Sequence, residues 1–151
     1  MSIVVDLQVA CKENHLPDEK HFKLWVNTAL QPYNRSFELT IRLVESCESQ
    51  QLNHQYRNRN TPTNVLSFPF ELPEGIELDL LGDLVICAEV VEQEAKQQNK
   101  LLTDHWAHMV IHGCLHLLGF DHINENDADE METLETQLLF SLGIADPYVE
   151  Q

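Results

Sequence analysis

The chain has 151 residues, 43% of them hydrophobic, and a formal net charge of −16 at pH 7. This length and apolar content specify one domain with a sizeable core and exclude a disordered chain. No apolar run approaches the ~20 residues of a membrane span, and Met1-Ser2-Ile3-Val4-Val5-Asp6 shows no secretory pattern, so a cytoplasmic protein without a membrane partner is expected.

Ile3 to Ala10 alternates imperfectly, with Val5, Leu7 and Val9 against Asp6 and Gln8, and predicts a strand. Leu16-Pro17-Asp18-Glu19 opens a helix with proline early and acids in its first turn. Phe22, Trp25, Val26, Ala29 and Leu30 then form a core-facing stripe that Pro32 stops. Trp25 is read as core rather than as a stacking platform. Ser36 to Val44 is a second alternating strand, followed by a helix from Ser46 to about Arg57. Taken alone, Arg57 reads as a solvated arginine at the negative end of a helix dipole. Asn60 to Thr63 is a loop, and Val65 to Phe70 a third strand closed by prolines, which suits a sheet edge. Beside a site, such an edge can line a groove. Glu71 to Asp79 is an acidic loop. Leu80 to Cys87 is apolar almost throughout and predicts a central strand. Helices follow at Glu89 to Asn99, from Thr103-Asp104 onward, and at Asn124 to Leu142, where Met131, Leu134, Leu138 and Leu142 face inward.

The four cysteines form no C-x-x-C pair and are expected to be reduced. Cys87 and Cys114 lie in apolar surroundings and read as buried.

The chemistry concentrates in His112, His116 and His122. Residues four apart share one helix face, so His112 and His116 point the same way. Gly119 is suited to end the helix, and the chain can then turn to bring in His122. Three imidazoles with an open position is how a catalytic zinc is held. Nickel or iron would also fit these ligands. Cys114 points to the opposite side of the helix. His108 shares the His112 face and is read as an outlying neighbour; Asp83 could accept a hydrogen bond from a ligand histidine or equally serve at a turn or strand entry. The spacing parallels the protease pattern H-E-x-x-H-x-x-G-x-x-H, but Gly113 occupies the position of the general-base glutamate, which argues against a peptidase.

The run His112-Gly113-Cys114-Leu115-His116-Leu117-Leu118-Gly119-Phe120-Asp121-His122 resembles the signature of the YbeY family, bacterial endoribonucleases of rRNA maturation. Leu52-Asn53-His54-Gln55-Tyr56-Arg57, Thr61 to Pro69, and Leu81-Gly82-Asp83-Leu84-Val85-Ile86 resemble further blocks of that family, in the same order, and the resemblance covers essentially the whole chain. The family commonly carries Asp at position 64; here it is Asn64, which removes a carboxylate but touches neither the histidines nor Arg57. The resemblance implies a single-strand-specific endoribonuclease with one zinc ion on His112, His116 and His122, and Arg57 as a phosphate-binding catalytic residue. It also implies a role in 16S rRNA 3′-end maturation and ribosome quality control, with the small ribosomal subunit as partner.

The element order β-α-β-α-β-β-α-α-α predicts a single α+β domain, residues 1–151, with a mixed sheet of about four strands and about five helices. Charge sets one tension. Nucleic-acid affinity normally rests on Lys and Arg, yet none follows Lys100, and Arg42, Arg57 and Arg59 fall in mid-chain near the segments expected to flank the metal. Two alternatives therefore stand beside the nuclease: a ribosome-associated assembly factor with a structural zinc, and a zinc hydrolase of another substrate class.

Overall fold

The structure, a computed structural model, describes residues 2–12, 15–71, 73–75, 79–120 and 125–148. The elements are β1 (Ile3–Ala10), α1 (Glu19–Leu30), a 3-10 turn (Gln31–Tyr33), β2 (Phe37–Val44), α2 (Ser46–Arg57), β3 (Val65–Pro69), β4 (Leu80–Cys87), α3 (Ala88–Gln97), α4 (Leu102–Leu117) and α5 (Glu125–Ser141). Among the described residues this is the expected α+β domain: a mixed four-stranded sheet and five α-helices. No helix among the described residues is long and apolar enough to cross a membrane.

The sheet order is β1-β2-β4-β3. β1 pairs parallel with β2, β2 parallel with β4, and β3 antiparallel with β4. β3 is thus an edge, as its prolines predict, and β4 is central. Its near-continuous apolar run has a direct cause: Leu84 and Ile86 enter the main core, while Val85 and Cys87 enter a smaller cluster on the opposite face.

The main core joins Phe37, Leu39, Ile41 and Leu43 of β2 to the stripe of α1 and the apolar side of α4. Trp25 is buried there, and Phe22 packs edge-on against both Trp25 and Trp106. α4 lies between α1, α3 and the sheet, with α5 outside it. On the other face, Leu52 of α2 packs against Val44, Leu66, Val85 and Cys87. Pro17 precedes α1 rather than opening it; Asp18 is the N-cap and its carboxylate accepts from the His21 amide at 3.1 Å.

Two buried polar residues of α2 hold the next loop. Ser49 Oγ accepts from the Thr63 amide at 2.9 Å, and Asn53 Nδ2 donates to the Thr61 carbonyl at 2.8 Å. Asn58 ends α2 in the left-handed conformation. These contacts return the chain along α2, so that Thr63, just before β3, lies against Ser49 in the first half of the helix, while Phe68 further along β3 meets Tyr56 near its end.

Candidate metal centre

α4 is buried along most of its length. Gly113 faces the sheet: a Cβ there would stand 2.7 Å from Leu84 Cδ2. The glycine therefore lets α4 approach β4 closely, and a glutamate side chain would be directed at the sheet. The missing protease base thus has a packing reason.

The helix ends as Gly119 predicts. Gly119 has φ +105°, the Gly119 amide donates to the His116 carbonyl at 3.0 Å, and the Phe120 amide donates to the Leu115 carbonyl at 3.0 Å. This is the Schellman arrangement. It also turns the Phe120 carbonyl back onto His116, whose Nδ1 donates to it at 3.0 Å. One carbonyl thereby sets the His116 tautomer.

His112 is set by a carboxylate. Its Nδ1 donates to Glu135 Oε1 at 2.7 Å. Both acceptors lack a proton to offer, so each imidazole carries its hydrogen on Nδ1 and keeps the Nε2 lone pair. The two Nε2 atoms face each other at 3.0 Å. Two lone pairs at that separation repel unless a cation lies between them, and one ion at ~2.1 Å from each nitrogen fits. The donor set therefore suits a metal ion. His122 and Asp121 lie outside the described residues.

Glu135 joins a larger group. It is fully buried in α5 and also accepts from His108 Nε2 at 2.7 Å and from the Tyr148 hydroxyl at 2.6 Å. Burial alone would push its carboxyl up, but the hydrogen bonds from His108 and His112 outweigh burial and hold it well below the usual carboxylate range. Burial, then the Glu135 contact, raises the Tyr148 phenol. Burial lowers His108 against the pull of Glu135. His108, His112 and Glu135 offer ligand atoms all within 4.8 Å of one another, a set able to hold a metal ion.

His108 is therefore no outlying neighbour, and Glu135 is missing from the sequence reading altogether. Its signal was present: Met131, Glu135 and Leu139 stand four apart on one stripe, so a carboxylate interrupts an apolar face. Asp83, by contrast, is exposed on β4, and the carboxylate that reaches His112 is Glu135. Cys114 is fully buried, and burial pushes its thiol up to about 12. A neutral thiol in the core is no metal ligand.

His112 and His116 open on a cleft of about 900 Å³, lined also by Tyr56, Arg57, Asn64, Gly119, Phe120 and all of β3. Arg57, distant in sequence, thus borders the same space as both histidines. Exposed Tyr56 packs edge-on against Phe68, with ring centroids 5.0 Å apart. Arg42 is removed from the expected basic patch: Nε and Nη2 donate to Glu48 Oε2 and Oε1 at 2.7 and 3.0 Å. Arg59 is exposed and is not among the described residues lining the cleft.

A family model described as endoribonuclease YbeY matches residues 8–143. The endoribonuclease YbeY of Colwellia psychrerythraea (strain 34H) is 62% identical over 155 aligned residues, covering 100% of both chains. The solution structure of TM1509 from Thermotoga maritima is similar with a TM-score of 0.62 and 25% identity, covering 90% of this chain and 87% of that one. On the family match and the full-length relative, the chain belongs to the YbeY family of endoribonucleases.

Proposed function

We propose that this protein is a zinc-dependent endoribonuclease that cuts single-stranded RNA in 16S rRNA 3′-end maturation and ribosome quality control. Its partner would be the small ribosomal subunit and its site of action the cytoplasm. The observation that carries the reading is a single cleft bordered by an arginine and by two imidazoles with facing Nε2 atoms, in a chain of the YbeY family.

In this reading His112, His116 and His122 hold the ion. When bound, zinc supplies Lewis acidity toward a phosphoryl oxygen. Arg57 binds the scissile phosphate through the donor fork of its guanidinium and stabilises the charge that develops there. The β3 edge and Tyr56 provide an extended wall with an aromatic face, which suits unstacked bases. A duplex offers no such faces.

A second reading draws on the charge of −16: a ribosome-associated factor in which the metal only ties α4 to the following turn. Cleavage of an unstructured RNA separates the two. Wild type, chelated wild type and Arg57→Ala are compared side by side, with folding checked by circular dichroism. The nuclease reading expects cutting by wild type alone, with Arg57→Ala slowed roughly 100-fold or more. Equal cutting by all three would mark a contaminant. No cutting by a metal-loaded wild type would leave the scaffold reading.

A further inference from the structure

Glu135 places a carboxyl group where there is no exposure, and its three described partners are two imidazoles and a phenol. A buried carboxylate among neutral donors is costly unless positive charge lies near. One place for such charge is the Nε2 side of His112, where His116 Nε2 stands 3.0 Å away. The distances also define how Glu135 acts. Each carboxylate oxygen stands 2.7 Å from an imidazole nitrogen, the separation of a charge-assisted hydrogen bond. An ion between them would occupy the place of those protons. Glu135 thus has the geometry of an acceptor behind a ligand histidine.

We propose that Glu135 is the positioning residue of the metal centre. It holds His112 in the Nδ1–H form, so that Nε2 is presented to the ion, and Tyr148 steadies it from the C-terminal segment through its 2.6 Å hydrogen bond. The proposal rests on the reading that the ion is held on the Nε2 side of His112 and His116. It makes metal affinity depend on a residue that never touches metal or RNA.

Zinc affinity is measured by competition with a chromophoric chelator for wild type, Glu135→Gln, Glu135→Leu, His108→Ala and His116→Ala. The His112 tautomer is read in the metal-free wild type at pH 8 by long-range proton–nitrogen correlation. The expected results are a His112 ring protonated on Nδ1, and zinc binding about 10–100-fold weaker in Glu135→Leu. Glu135→Gln, whose amide oxygen still accepts, recovers most of that loss. His108→Ala changes affinity far less than Glu135→Leu, and His116→Ala loses zinc. Wild-type affinity in Glu135→Leu, or a His112 ring protonated on Nε2 in wild type, overturns the proposal while loss in His116→Ala leaves the metal reading intact. The tautomer needs no variant, so the test survives if Glu135→Leu does not fold. Unchanged binding in His116→Ala, with loss in both Glu135→Gln and His108→Ala, would put the ion among His108, His112 and Glu135 and overturn both.

Discussion

Asn64 stands where the resemblance leads one to expect an aspartate, and its surroundings give the consequence. Its Nδ2 donates to both oxygens of Glu94, at 3.1 and 3.2 Å, and its Oδ1 accepts from the Val65 amide at 2.6 Å. Glu94 also accepts from His105 Nε2 at 3.0 Å. Burial pushes the Glu94 carboxyl up, but the hydrogen bonds from His105 and Asn64 outweigh it, and it lies below its ordinary value of 4.5. A depressed carboxyl contributes stability that is present above the ordinary value and is lost as pH falls through the depressed one. Asn64→Asp would replace the amide donor with a second carboxylate, so the pair would bind a proton more readily. The variant should lose about 1–3 kcal/mol at pH 7. That gap should narrow as pH falls through the carboxylate range. Urea midpoints between pH 4 and 8 measure this, and a gap that stays constant with pH would mean that repulsion is not the cause.

At the scale of elements, α4 has two different tasks on its two sides. One side is packed into the sheet, where Gly113 allows contact with Leu84; the other carries His112 and His116 to the cleft. The two cannot be altered separately. Gly113→Glu, which restores the protease motif on paper, would drive a carboxylate against a fully buried leucine. The combined overpacking and unpaired charge should cost about 3 kcal/mol or more. The expected outcome is a lower melting temperature and no peptidase activity on casein. A stable variant that hydrolyses casein would show that position 113 faces the metal after all.

For the whole molecule, the question is how a chain of charge −16 meets RNA. The cations are spent unevenly: Arg42 is bound to Glu48, and no Lys or Arg follows Lys100. Arg57 is the one Lys or Arg among the described residues lining the cleft. Binding should therefore neutralise few phosphates. For single strands each neutralised phosphate contributes a slope of about −0.7 in log K against log salt, so a slope near −1 to −2 is expected for metal-loaded protein. Fluorescence anisotropy of a labelled oligonucleotide at several salt concentrations tests it. A slope of −5 or steeper would require a basic surface elsewhere, such as one supplied by a partner.

Much of the architecture was legible before the fold. The spans of α2 and β4, the edge character of β3 and the end of α4 at Gly119 follow from period, proline and glycine. These are local properties, expressed within a few residues. The shared face of His112 and His116 is equally local, because four residues make about one helical turn. Glu135 was not legible as a partner of His112, since the two are 23 residues apart and meet only when α5 packs on α4. The neutralisation of Arg42, the packing role of Gly113 and the meeting of Arg57 with the histidines are decisions of the same kind. Sequence by itself determined which side chains could carry the chemistry. Tertiary structure decided which of them are held together, because hydrogen bonds and close packing between elements depend on distances that no local pattern encodes.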